Sequence, residues 1–199
     1  VLINNQGVDL LEGRTLVADG IITDAKDINI TVENGNAVIN SLDAEYAESI
    51  SLKSADDLTV MLGDDTTEDV VSWASIDATD VEGSTTFGIN ENVDLSGVNL
   101  EGIDYIQLNE GSELTLNMGQ YDNLELEAGF DSTESEATVN LKDLADHEFS
   151  LAELPEGVIL GDLDIAEQPE VTLNKNTDLT GVRSLNVHED TLLNLTMAQ

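Results

Sequence analysis

The stretch IQLNEGSELTLNM, Ile106 to Met118, reads aliphatic, polar, aliphatic, then five mostly polar residues, then aliphatic, polar, aliphatic, a variable position and a last apolar residue. ISLKSADDLTVML, Ile50 to Leu62, carries the same pattern 56 residues earlier, and LNVHEDTLLNLTM, Leu185 to Met197, carries it 79 residues later. Alternation with period two buries one face of an extended chain and wets the other. Each copy therefore predicts a strand, a polar corner and a second strand.

A second pattern lies upstream of each copy. FGINENVDLSGV, Phe87 to Val98, matches VTLNKNTDLTGV, Val171 to Val182, and ITVENGNAVINS, Ile30 to Ser41, is a fainter relative. Together they predict two-rung repeat units over 30–62, 87–118 and 171–197. Within the units Val32 and Leu52, Ile89 and Leu108, and Leu173 and Val187 stand 20, 19 and 14 residues apart. The first two spacings suit one coil of a solenoid, and the third is an irregularity it has to absorb.

The expected fold is all-β: a parallel β-solenoid of irregular repeats forming one elongated domain over 1–199. The alternative is an antiparallel β-sandwich in which the corners are hairpin loops. Against it, KSADD and HEDTL lack glycine, and none of the three five-residue corners NEGSE, KSADD and HEDTL has the Asn-Gly or Asp-Gly pair of a two-residue turn. Aromatic residues are 4% of the chain, which suits a thin aliphatic core.

Two acidic insertions separate the units, at 63–86 and 121–141, and their alternating apolar positions predict further strands with exposed loops. In LKDLADHEFSLAEL, Leu141 to Leu154, the residues Leu141, Leu144 and Ala145 share one helical face, with Phe149 a turn later. The segment predicts a short helix ended by Pro155.

The chain holds 42 acidic and 6 basic residues, a formal charge of −36. Arg14, Lys26, Lys53, Lys142, Lys175 and Arg183 are scattered along it. Phosphate-mediated nucleic-acid binding needs clustered Lys and Arg and is excluded as a function class. Anionic membrane surfaces are disfavoured for the same reason, and no eighteen-residue apolar run predicts membrane insertion. Self-repulsion of this size calls for screening cations. There is no Cys, hence neither a disulfide framework nor a thiolate metal site. The chain starts at Val1 and stops at Gln199 directly after a repeat, so both ends are expected to be cuts in a longer polypeptide.

Catalytic constellations are scarce. His147 and His188 have no zinc-ligand spacing, and no nucleophile elbow, phosphate loop or dinucleotide fingerprint occurs, so no enzyme is expected. His188 sits in a corner whose counterparts are Lys53 and Asn109, which predicts a solvated histidine. Paired carboxylates for glycan cleavage are too numerous for any pair to stand out. Tyr46, Trp73, Tyr105 and Tyr121 are too dispersed to form an evident sugar platform. Calcium takes six to eight oxygens, which acidic turns supply. The candidate ligands are Asp64, Asp65, Glu68 and Asp69 in the first insertion and Asp131, Glu134 and Glu136 in the second. The competing view of both clusters is a solvated loop. Neither has EF-hand spacing, and the calcium nonapeptide GGxGxDxUx is absent. Asn90, Asn109 and Asn174 open three corners, either as an internal ladder of amides stacked coil upon coil or as residues tolerant of left-handed backbone.

DLSGV, Asp94 to Val98, and DLTGV, Asp178 to Val182, each followed by an alternating stretch ending in LTLNMGQ or LLNLTMAQ, resemble the β-strand repeats of very large bacterial surface proteins. These are the adhesins grouped with the RTX type and with surface-layer proteins. The resemblance implies a secreted, calcium-stabilised, non-enzymatic module at the cell surface. Its implied partners are flanking repeats, further copies of the chain, or surface glycans.

Overall fold

The computed structural model describes residues 15–18, 20–22, 24–33, 35–44, 46–62, 73–130, 136–145, 154–173, 179 and 182–195. They form a parallel β-solenoid of about six turns. One sheet holds β1 (Leu16–Ala18), β2 (Ile21–Ile22), β4 (Ala37–Asp43), β6 (Leu58–Leu62), β8 (Thr85–Ile89), β11 (Tyr105–Leu108) and β13 (Glu125–Ala128). A second holds β3 (Asp27–Val32), β5 (Ser49–Ser54), β7 (Ser75–Val81) and β10 (Asn99–Glu101). A third holds β9 (Asn92–Asp94), β12 (Glu113–Asn117), β14 (Ala137–Leu144), β15 (Val158–Ile165) and β17 (Ser184–Asn186), and β16 (Glu170–Thr172) pairs β18 (Leu192–Asn194).

Every described strand pairing is parallel. The strand β11 pairs with β8 and β13, one coil away on either side, and not with β12, its successor in the chain. That rules out the sandwich, in which consecutive strands would be hairpin partners. The polar corner turns the chain onto the next sheet, so each alternating stretch becomes a rung.

Like residues stack because like positions face inward on successive coils. Ile39, Val60, Phe87, Ile106 and Leu126 form one row, and Leu42, Leu62, Ile89, Leu108 and Ala128 form another. Across the third sheet run Val93, Leu114, Val139 and Leu160, and beside them Leu116, Leu141, Leu163 and Leu185. Most of these side chains are buried, each contributing about 1.5–3 kcal/mol by leaving water.

Three expectations need correction. First, the two-rung units are not structural periods. The copy at 50–62 turns from the second sheet to the first, the copy at 106–118 turns from the first to the third, and the copy at 185–197 begins on β17 and passes to β18. The pattern marks a corner, and any corner can carry it. Second, Ile89 does pair Leu108, but Leu52 pairs Ile30 where Val32 was expected. The 14-residue irregularity disappears as well, because Val171 pairs Leu193 and the Leu173 amide donates to the Asn194 carbonyl. Third, residues 141–144 end strand β14 where a helix was expected, while 146–153 lie outside the described residues. Asp143 has φ 58° and the register with β15 shifts between Leu141 and Leu144. This bulge adds a residue, so Leu141 and Leu144 both face inward at a spacing of three and imitate a helical face.

The one described helix, α1 (Met118–Tyr121), follows β12, and β10 is the last strand of the second sheet. Asn117 caps it in a reciprocal capping box with Gln120. The Gln120 amide also donates to the Leu95 and Val98 carbonyls, and the Asn117 amide to the Ser96 carbonyl. DLSGV is thereby a held turn: Leu95 and Val98 are buried, and the Val98 amide donates to the Leu95 carbonyl. Val182 and Leu179 make the equivalent bond in DLTGV.

Candidate functional site

Of the calcium candidates, Asp64, Asp65, Glu68, Asp69, Asp131 and Glu134 lie outside the described residues. Glu136 is exposed at the corner before β14, where its carbonyl accepts the Gly111 amide at 2.9 Å. Among the described residues no three acidic or histidine side chains converge on a point that would hold a metal ion.

The described carboxylates are occupied in another way. Between the second and first sheets, Asp56 accepts the Gly35 amide, Asp57 accepts the Ser84 amide, and Asp104 accepts the Thr85 amide, each from a neighbouring coil. A corner leaves backbone N–H groups without a ladder partner, and a carboxylate on the next coil satisfies them. At the corners after β8 and β11 the Asn109 amide donates to the Asn90 carbonyl oxygen at 2.6 Å, and neither residue has positive φ. The amides do stack from coil to coil there, but on the outside of the corner and not as the internal ladder expected; Asn174 lies outside the described residues.

The densest polar constellation lies on the outer face of the third sheet. Arg183, just before β17, donates through Nε and Nη2 to the two oxygens of Asp162 on β15, at 3.0 and 2.9 Å. Its Nη2 also reaches Glu113 of β12 at 3.0 Å. Asn140 of β14 links the same pair, donating to Glu113 at 2.6 Å and accepting the Asp162 amide at 2.7 Å. Ser184 donates to Asp162 at 2.8 Å. Beside this cluster Lys142 of β14 donates to Asp94 of β9 at 2.6 Å, and Ser96 donates to Asp94 through both its amide and its hydroxyl.

The electrostatics follow from these contacts. Hydrogen bonds from Asn140 and Arg183 hold Glu113 below the ordinary carboxylate range, and those from Arg183 and Ser184 do the same for Asp162. Burial opposes ionisation of Asp94, but Lys142 and Ser96 outweigh it and its pKa is lowered. A general acid for glycan cleavage needs a carboxyl pushed upward. Glu113 and Asp162 are pushed the other way, so the pair is suited to holding a guanidinium and not to donating a proton.

The four described basic residues, scattered in the chain, are ordered in space; Arg14 and Lys175 lie outside the described residues. Lys26 pairs with Glu48, Lys53 with Asp80 at 4.0 Å, Lys142 with Asp94, and Arg183 with Asp162 and Glu113. The signal was present as a spacing of about one coil, 22 residues for Lys26 and Glu48 and 21 for Arg183 and Asp162. It is invisible until the coil length is known.

His188 is exposed at a turn, as its corner position predicts. Trp73 is buried with its indole N–H donating to the Ala44 carbonyl at 3.0 Å, so it offers no face to a sugar ring. No described helix is long and apolar enough to cross a membrane. Comparison with protein-family models, with curated proteins and with solved structures gives no match, so the resemblance to surface-protein repeats rests on its motifs alone.

Proposed function

We propose that this chain is a structural and adhesive module of a secreted bacterial surface protein, with its repelling carboxylates screened by cations, calcium among them. The observation that supports this most is the division of the strands. Inward rows are largely apolar from coil to coil, while outward strand positions and corners carry polar and acidic side chains that link neighbouring coils. Such an arrangement supplies length and a hydrated, negatively charged surface. Antibody raised against the purified segment should label intact, unpermeabilised producing cells. Labelling that appears only after lysis would end this reading. Exchange of the segment for an unrelated solenoid of equal length separates its two components: a spacer survives the exchange, and an adhesive surface does not.

A second reading, assembly with further copies or flanking repeats, draws on the coil of β17 and β18. Val187 and Leu195 are 41% and 49% exposed there, whereas Ile165 and Leu173 one coil earlier are fully covered. Light scattering at high protein concentration in the presence of calcium tests it, and a monodisperse monomer counts against it.

A further inference from the structure

Among the described residues the second sheet ends at β10, in the middle of the solenoid, because the next coil enters α1 where its strand would lie. One edge of β10 is therefore open, although the third sheet runs on through β12, β14 and β15. In a parallel ladder alternate residues turn both backbone groups to the same neighbour. Asn99 turns to β7, its amide donating to the Ala74 carbonyl at 2.9 Å, so Leu100 turns its N–H and C=O to the open side. Neither group has a partner among the described residues. On the same side the Val98 carbonyl is already taken by the Gln120 amide at 2.7 Å, and past Glu101 the strand stops at Gly102, whose φ is 71°. The free edge is thus a single residue, one donor beside one acceptor.

Leu100 lines a half-open groove of about 460 Å³ between β10 and α1. Asn99, Ile103, Gln120, Asn123 and Leu124 form most of the remaining wall, and no charged side chain lines it. A second depression of about 290 Å³ shares Leu124 and is bordered by Tyr121. The amide nitrogens of Asn99 and Asn123 donate to Glu101 and to the Gly119 carbonyl, which leaves their side-chain oxygens as acceptors. Apolar walls with a few fixed polar groups are the make-up of a small-ligand site. Around the groove the exposed Glu101, Asp122 and Glu125 add to the negative field of the chain and disfavour an anionic ligand.

We propose that the groove between β10 and α1 binds a neutral hexopyranose unit of a glycan, held by two adjacent ring hydroxyls on the open edge at Leu100. In extended backbone the N–H and C=O of one residue point the same way, about 3 Å apart. Two neighbouring equatorial hydroxyls have the same separation, so one oxygen accepts from the Leu100 amide while the other hydroxyl donates to the Leu100 carbonyl. The C–H face of the ring packs on Ile103 and Leu124, and further hydroxyls donate to the oxygens of Asn99 and Asn123. An added peptide strand fits less well, because it needs a run of open backbone groups and only one residue supplies them. This gives the adhesive reading above its ligand and rests on that reading.

Amide chemical shifts of the isotopically labelled chain, titrated with methyl glucoside, methyl galactoside and methyl mannoside, test this. Each is run beside its 3-deoxy analogue, which has no adjacent pair of ring hydroxyls. At least one glycoside should shift the Leu100 amide together with amides over 117–124. Its 3-deoxy analogue should bind about tenfold more weakly, the worth of a hydrogen bond whose loss leaves a partner unpaired. Leu100→Pro removes the donor on the open side, spares the ladder to β7, and should weaken binding by a similar factor. Gly119→Leu should abolish binding by filling the groove from α1; Gly119 has no positive φ, and a Cβ there meets only the Asn117 side chain, at 3.3 Å. That variant keeps the test decisive if proline unfolds the strand. Methyl glucuronide, the glucoside ring with a carboxylate, should bind more weakly than methyl glucoside at low salt. The proposal is overturned if no glycoside shifts these amides, if the 3-deoxy analogues bind as well as their parents, or if Gly119→Leu binds like the wild type. Equal binding of the glucuronide, or tighter binding of a short valine–threonine peptide at the same amides, overturns it too. Binding is read on the purified chain, so its failure is distinct from a failure of surface labelling, which concerns where the chain is displayed.

Discussion

Two residues show how a solenoid built on stacked rows handles a polar group. Thr85 occupies an inward row with Leu58 and is fully buried, and its hydroxyl has no hydrogen-bond partner. Burying a hydroxyl unpaired costs about 1–3 kcal/mol on the scale of protein mutations. Thr85→Val keeps the branched shape and removes the cost, so it should raise stability by about 1 kcal/mol in urea denaturation. A loss of stability would mean that the hydroxyl is satisfied after all. Asp94 is the opposite case, a part-buried carboxylate surrounded by donors. Its pKa is depressed in the fold, so its contribution is present above the unfolded-state value of about 4 and is lost as pH falls through the lower folded value. The melting-temperature gap between wild type and Asp94→Asn should therefore be widest near neutral pH and close as the pH falls through the lowered folded value. A gap that persists unchanged in acid would assign the effect to packing and not to charge.

At the scale of the element, the corners do as much as the strands. Coils sit one strand spacing apart, so a corner residue meets the backbone of its neighbour directly. A Cβ on Gly102 would lie 2.6 Å from the backbone of Ala78 and Thr79, and its φ is +71°. Gly102→Ala should accordingly cost about 2–3 kcal/mol, combining overpacking with a backbone conformation unfavourable to alanine. Gly97 has open space and no positive φ, so Gly97→Ala should fall within about 0.5 kcal/mol of wild type. Chemical denaturation of the two variants checks both, and equal effects would contradict the corner-packing account. Strand elements were legible in the alternation, and Ile106 to Met118 folds as strand, corner and strand as its pattern predicts. Over 141–144 the expected helix was a misreading with a definite cause, since one bulged residue converts period two into a spacing of three.

For the whole molecule, charge is the controlling variable. Every described basic group is paired with a carboxylate, which leaves a large unbalanced negative surface. Melting temperature should rise with sodium chloride through screening alone. Millimolar calcium at matched ionic strength should raise it further if the acidic insertions coordinate the ion, and chelator should reverse that increment. Coincident melting curves in calcium and chelator would reduce the cation requirement to bulk screening. The candidate site was much less legible than the fold. Glu113, Asn140, Asp162 and Arg183 span 70 residues of chain and meet because each lies on the outer face of its coil. Nothing local to Arg183 distinguishes it from Lys26 or Lys53.

The amino-acid sequence by itself determined the strands, the inward and outward sides of each, the polar corners and the acidic surface. All of these are local consequences of alternation and composition, because period two sends neighbouring side chains to opposite faces wherever the strand lies. Tertiary structure decided which strand lies against which. Register depends on how many residues each corner and insertion consumes, and offsets between paired residues run from 19 for Thr86 and Tyr105 to 27 for Leu58 and Thr85. A repeat pattern that ignores those lengths identifies the rungs without their order. The clasp of Arg183 on Asp162 and Glu113 exists only once that order is set, since opposite charges at distant positions attract usefully when the backbone has already brought them within hydrogen-bond reach.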